Sequence, residues 1–160
     1  MERAVKMDRV DRRILALLQQ DATLSMSELS ERVGLSQTPC WKRIQKLEQA
    51  GIITGRVALL DPRKLGLGVT VFVSIETADH SAAWIARFAA AVEAMPEVMD
   101  CWRMAGDVDY ILRVVTTDLA AYDAFYKRLV DAFPMRNVSS RIAIERVKGA
   151  TAYPIPDKTP

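Results

Sequence analysis

Apolar residues near the start of the chain recur at intervals of three and four, the spacing that gathers them on one side of a helix. Val10, Ile14, Leu17 and Leu18 form such a stripe over Asp8 to Gln20, with Asp8 and Asp11 suited to the positive N-terminal end. Asp21 to Leu24 reads as a loop. Ser25-Met26-Ser27-Glu28 then has the form of a capping box, opening a helix that buries Leu29 and Val33 and stops at Gly34. Ser36 suits the N-cap of a third helix over Gln37 to Ala50, released by Gly51. Pro39 falls in its first turn, where a missing N–H costs nothing. Cys40, Ile44 and Leu47 make its apolar stripe. A shared core of Ile14, Leu17, Leu18, Leu29, Val33, Leu35, Ile44 and Leu47 follows, and the glycine-containing turn between the last two helices makes this a helix-turn-helix. Ile52-Ile53 and Arg56 to Leu60 are expected as two short strands of a wing around Thr54-Gly55.

The pattern changes after Asp61 to Gly68, where a proline and two glycines punctuate the chain. Val69 to Glu76 alternates with period two, as a strand does. Ile85, Phe88, Val92 and Met95 return to helical spacing, ended by Pro96. Val98 to Met104 and Val108 to Thr116 read as strands around Ala105-Gly106-Asp107. Leu119, Tyr122, Tyr126, Leu129 and Phe133 mark another helix, and Val138 to Val147 a last strand. The order β-α-β-β-α-β is that of a ferredoxin-like sheet with both helices on one face. The fold class is therefore α+β: a winged helix-turn-helix over 1–60, a linker over 61–68, a ferredoxin-like domain over 69–150, and a tail over 151–160 expected to trail off. The sheet's second face needs cover, which a homodimer would supply while pairing two heads for a near-palindromic site.

Charge adds a direction. Residues 1–66 hold 12 Lys/Arg against 8 Asp/Glu, a net of +4, whereas residues 67–160 hold 10 against 12, a net of −2. A basic front points to a polyanion met by the front alone. On the third helix Thr38, Lys42, Gln45 and Gln49 point away from the apolar stripe, with Gln37, Trp41 and Lys46 beside them and Arg43 on the far shoulder. Amides and hydroxyls suit base edges in a major groove, and cations suit phosphates. By composition alone this face is equally a solvated surface; the helices around it favour DNA. Ser36, Gln37, Thr38, Trp41, Lys42, Arg43, Gln45, Lys46 and Arg56 are the candidate DNA-binding residues. Among them Gln37, Thr38, Lys42 and Gln45 are expected to read bases, and Arg43, Lys46 and Arg56 to hold phosphates of double-stranded DNA.

Other chemistry finds little material. His80, the one histidine, lies in a polar loop, and no phosphate loop, metal-ligand spacing or serine with a nearby base is present. Neither an enzyme nor a cofactor or metal protein is expected. The two cysteines, Cys40 and Cys101, form no CxxC pair and are expected reduced, Cys40 as a core residue. No apolar run approaches the roughly 18–20 residues of a membrane span. Met1 to Asp8 lacks a signal peptide's apolar stretch, so the protein is expected in the cytoplasm without a membrane partner. At Ala105-Gly106-Asp107, backbone N–H groups could receive a carboxylate and Asp107 or Asp109 an ammonium, although Gly-Asp is also an ordinary hairpin turn.

Taken together, Asp8-Arg9-Val10-Asp11-Arg12-Arg13-Ile14-Leu15, Gly34-Leu35-Ser36-Gln37-Thr38-Pro39, Leu47-Glu48-Gln49-Ala50-Gly51-Ile52-Ile53, Gly106-Asp107-Val108-Asp109-Tyr110 and Lys148-Gly149-Ala150-Thr151-Ala152-Tyr153-Pro154 resemble the Lrp/AsnC (feast/famine) family of transcription regulators. The resemblance covers nearly the whole chain. It implies a sequence-specific regulator whose DNA binding or assembly responds to a small effector, usually an amino acid. It also implies a homodimer that often assembles to an octamer. The effector position it implies is the turn of Met104, Ala105, Gly106, Asp107, Asp109 and Tyr110. Thr38-Pro39-Cys40-Trp41-Lys42-Arg43 resembles a Cys-Trp variant tied to amino-acid catabolism or sulfur-amino-acid detoxification. The alternative is a nucleoid-organising protein that binds DNA without an effector and with little sequence preference.

Overall fold

The computed structural model describes residues 6–156. Met1 to Val5 and the last four tail residues lie outside them. The chain forms two compact units, Met1–Leu59 with Lys148–Pro160, and Leu60–Val147.

In the first unit, α1 (Arg9–Gln20), α2 (Met26–Val33) and α3 (Gln37–Gln49) follow the apolar stripes. The first two starts are closed by capping boxes. The Asp8 carboxylate accepts from the Val10 and Asp11 amides, and the Asp11 carboxylate accepts in return from the Asp8 amide. Ser25 and Glu28 make the same reciprocal box at α2. Gly34 ends α2 at φ +72°, a left-handed backbone that side chains resist. Ser36 occupies the α3 N-cap but makes no side-chain capping bond. The core consists of Ile14, Leu15, Leu29, Val33, Cys40, Ile44 and Leu47, with Leu17, Leu18 and Leu35 half-buried at its margin. Each fully buried aliphatic side chain here is worth about 1.5–3 kcal/mol of transfer free energy.

Two expectations for this unit need correction. Residues 52–60 form no strand, so the two-stranded wing is absent. The Ile52 and Ile53 amides both donate to the Leu47 carbonyl and their side chains join the core, leaving Arg56 to Leu60 exposed without a partner strand. A strand needs a ladder, and these residues have none. The tail does not trail off either. Gln19 exchanges two hydrogen bonds with the Tyr153 backbone, Arg12 Nε donates to the Pro156 carbonyl at 2.8 Å, and Ile155 packs on the helical core. Its prolines hold the backbone extended, so the exposed carbonyls and amide are presented to polar side chains of α1.

The second unit opens with a 3-10 turn over Pro62–Leu65 and continues as β1 (Val69–Glu76), α4 (Ala82–Glu93), β2 (Val98–Arg103), β3 (Tyr110–Thr116), α5 (Leu119–Ala132) and β4 (Asn137–Ile142). The sheet order is β2-β3-β1-β4, antiparallel throughout. Val71, Val73 and Ile75 from β1 and Leu112 and Val114 from β3 are buried with Trp84, Phe88, Val92, Phe125 and Leu129 from the helices. Trp84 stacks on Phe88 at 4.9 Å between ring centroids, and Tyr110 lies 4.6 Å from Phe88. β4 ends earlier than its pattern predicts, at Ile142 rather than Val147. Ala143 makes the last ladder bond, to the Thr70 carbonyl, because β1 begins at Val69 and leaves nothing further to pair with.

Opposite the helices the sheet carries Phe72, Ser74, Asp100, Trp102, Ile111, Arg113 and Arg141, placed together by register. Trp102 is 51% exposed and Phe72 39%. Arg113 pairs with Asp100, and Arg141 donates to Ser74 Oγ at 2.8 Å. No helix among the described residues is long and apolar enough to cross a membrane.

Candidate nucleic-acid interface and effector turn

Because α3 buries Cys40, Ile44 and Leu47, its other side is exposed, and the start of the helix presents Ser36, Gln37, Thr38, Trp41 and Lys42 there. Gln37, Thr38, Lys42 and Lys46 make no side-chain bond to any described residue and are open to a partner. Lys6, Lys42 and Lys46 line a hollow of 460 Å³ together with Met7, Asp8, Asp11 and Arg43. Lys6 was not among the sequence candidates, since it lies ahead of α1 and only folding brings it beside α3.

The other candidates are already engaged. Gln45 Nε2 donates to Glu48 Oε2 at 3.0 Å, and Arg56 Nη2 reaches Glu48 Oε1 at 2.8 Å. Arg43 turns away from the outer face: its Nη1 lies 2.6 Å from Asp8 Oδ2 and 2.7 Å from Asp11 Oδ1. Arg43, expected to hold a phosphate, is thus bonded inside the head through Nη1. The Asp11 amide, and after it the Arg43 guanidinium, holds the Asp8 carboxyl below its ordinary value, while the two carboxylates raise Arg43.

In the second unit, the turn from Met104 to Asp109 is fixed by backbone bonds. The Met104 amide donates to the Asp109 carbonyl at 2.8 Å, and the Asp109 amide to the Ile75 carbonyl at 2.9 Å. Gly106 has φ +144°, a backbone that favours glycine. Met104, Ala105, Gly106 and Asp107 are exposed. Asp109 is half-buried: its Oδ2 accepts from the Thr77 amide at 2.7 Å, and its Oδ1 lies 3.7 Å from His80 Nδ1. Tyr110 is 6% exposed, its ring within the aromatic core. The turn therefore brings Gly106, Asp107 and Asp109 together with Thr77 and His80, and places the Tyr110 ring behind them. Thr77 and His80 escaped sequence reasoning because they follow β1, and only the antiparallel pairing of β1 with β3 sets them against this turn.

Cys40 is fully buried, and burial raises its thiol. Partial desolvation also raises Cys101, although the residue is exposed at the edge strand. Neither has the lowered pKa of a reactive thiolate. Among the described residues no cluster of His, Cys, Asp or Glu could hold a metal ion.

Two family models match the chain: "Winged helix-turn-helix DNA-binding" over residues 7–54 and "Lrp/AsnC ligand binding domain" over residues 70–153. The DNA-binding transcriptional activator DecR of Escherichia coli (strain K12) is 53% identical over 150 residues, covering 93% of this chain and 99% of that protein. The crystal structure of an AsnC family transcriptional regulator from Agrobacterium tumefaciens superposes with a TM-score of 0.89 at 57% identity, over 92% of this chain and 97% of the other. A transcriptional regulator from Neisseria meningitidis, solved as an L-Met complex, gives 0.88 at 34% identity over 93% and 97%. With its helix-turn-helix head and ligand-binding sheet, the chain belongs to the Lrp/AsnC family of DNA-binding transcriptional regulators, which are not enzymes.

Proposed function

We propose that α3 reads a specific DNA sequence through Gln37, Thr38 and Lys42, with Lys46 and Lys6 on phosphates and Ser36 and Trp41 against the backbone. The observation that carries this is the row of exposed groups on the start of α3 that no other described residue engages. Gln45 and Arg56 join the interface only by leaving Glu48. Lys42→Ala is expected to weaken binding by about 1–3 kcal/mol and relax the preference at one base pair. An unchanged footprint and affinity would remove Lys42 from the readout.

The effector we assign to the Gly106 turn is an amino acid. Exposed backbone around Gly106 suits its carboxylate, and Asp107, with the free capacity of Asp109 Oδ1, suits its ammonium. Met104, Ala105 and Tyr110 then shape the wall. The Cys-Trp variant in α3 and the relative solved with L-Met make sulfur-containing amino acids the first to test. A thermal-shift screen of the common amino acids checks this, since a ligand at a hundred times its dissociation constant stabilises the folded state by about 2.7 kcal/mol. Asp107→Ala should suppress the shift. A shift that survives it places the ligand elsewhere.

The assembly we infer is a homodimer through the open sheet face, with Phe72 and Trp102 at its centre, able to build further towards an octamer. Two exposed aromatics on a sheet face are costly in water and favourable against a second copy. Trp102→Glu should shift the mass measured by light scattering towards the monomer.

A further inference from the structure

Arg43 is the one cation of α3 whose bonds lie inside the head, and its partners are arranged in a particular way. Asp8 uses Oδ1 for the Val10 and Asp11 amides and Oδ2 for Arg43. Asp11 uses Oδ2 for the Asp8 amide and Oδ1 for Arg43. All four carboxylate oxygens are thus occupied, and the cap that starts α1 is fused to the middle of α3. Asp11 is only 4% exposed. The three side chains together carry a formal charge of −1, so a DNA phosphate has no electrostatic reason to prefer Arg43 over Lys6, Lys42 or Lys46 around the same hollow.

Backbone hydrogen bonds tie the two ends of α3 to the chain on either side, as the Leu35 amide does to the Ser30 carbonyl, but between those ends its attachment apart from Arg43 is apolar. Cys40, Ile44 and Leu47 form one apolar stripe, and hydrophobic burial tolerates a helix rolling on such a seam. Charge-assisted hydrogen bonds do not, because they have a preferred distance and angle. We propose that Arg43 is a positioning residue for DNA reading: through Asp8 and Asp11 it sets the roll of α3 against the start of α1. That roll is the angle at which Gln37, Thr38 and Lys42 meet base edges. The proposal rests on the reading of α3 as the base-reading helix.

The test compares wild type, Arg43→Met and Asp8→Asn on two probes across a range of NaCl concentrations. One probe is a duplex selected by the wild-type protein from a random pool, and the other is poly(dI-dC). Positioning predicts that Arg43→Met loses about tenfold or more on the selected duplex. Its affinity for poly(dI-dC) should fall much less, by what one lost unit charge nearby accounts for, and its salt slope there should stay unchanged. A phosphate contact would instead weaken both probes and lower the slope by about 0.9. A merely structural contact would lower the melting temperature and leave the ratio of the two affinities where it was. Either result overturns the proposal.

Asp8→Asn gives an opposite sign under the two readings and keeps the test open should Arg43→Met fail to fold. Removing a carboxylate beside a phosphate-binding arginine would tighten DNA, whereas loosening the clamp weakens the selected duplex alone. Tightening on both probes overturns the proposal. If the wild type itself selects no sequence, the base-reading function falls and this inference with it; a wild-type preference that both variants retain in full overturns the inference alone.

Discussion

The head and the ligand-binding domain place their working residues by different means. On α3 the residues that face outward are set by neighbours a few positions away, because a stripe of Cys40, Ile44 and Leu47 fixes what lies opposite. Around Gly106 the turn is held through Asp109 by Ile75 and Thr77, each more than thirty residues before Asp109, and backed by an aromatic core from α4. Local spacing therefore locates the proposed reading face, while the proposed effector turn, built between strands, waits for the sheet. The head has exceptions in Lys6, which only folding brings beside α3, and in Arg43, whose partners Asp8 and Asp11 stand at the start of α1. For Arg43 the helical wheel shows only an outward shoulder, whereas the folded chain shows its bonds to Asp8 and Asp11.

The largest effects should come from the two cores, and they should stay separate. Phe88→Ala removes a ring packed between Trp84, Tyr110 and Phe133 and is expected to cost about 3–5 kcal/mol. Ile44→Ala in the head is expected to cost about 2–5 kcal/mol. Hydrogen exchange should report loss of protection in β1 and β3 for the first and in α1 to α3 for the second. Protection lost throughout both units in either variant would show that they unfold as one, and the comparison would fail.

A smaller effect tests where the tail belongs. Ending the chain after Ala152 removes the Gln19, Arg12 and Ile155 contacts, and each lost hydrogen bond is worth about 0.5–1.5 kcal/mol. The head alone should lose stability, read as faster exchange in α1 with the sheet unaffected. Faster exchange in β4 instead would assign the tail to the other unit.

The smallest effect is acid sensitivity. The Asp8 carboxyl is lowered by the Asp11 amide and then by Arg43, and Glu28 is lowered by the Ser25 hydroxyl and then its amide. A carboxyl whose folded pKa lies below its unfolded one contributes stability that is fully present above the unfolded value. That contribution is lost as pH falls through the folded value. The loss should therefore begin near pH ~4, the ordinary carboxyl range, and continue below it. Asp79 and Asp118, lowered chiefly by the Ser81 and Ala121 amides, give the second domain the same sign. Asp8→Asn should flatten the acid limb of the head only, as measured by exchange or fluorescence of Trp41. An unchanged limb would mean that Asp8 contributes nothing through its charge.

Much of the fold is legible before folding because its signals are short-ranged. Ser25 with Glu28, Gly34, Pro96 and Pro134 mark element ends by chemistry that acts within one turn. The period-two alternation of β1 is complete within Val69 to Glu76. The errors share the opposite character. Arg56 to Leu60 reads as a short strand, yet no ladder forms, because β propensity supplies no partner. Val138 to Val147 also reads as one strand, and its last residues go unpaired because β1 is too short to meet them.

The sequence by itself determined the three helices of the head, the capping boxes of the first two, the βαββαβ order and the outward row of Gln37, Thr38 and Lys42, since each follows from periodicity and from caps that act over a few residues. Only the tertiary structure decided that Arg43 binds Asp8 and Asp11, that Glu48 occupies Gln45 and Arg56, that the tail lies on α1, and that Thr77 and His80 join the Gly106 turn. Each of those is a choice among several polar partners of similar chemistry. Distance in the folded chain makes that choice, and no spacing in the sequence encodes it.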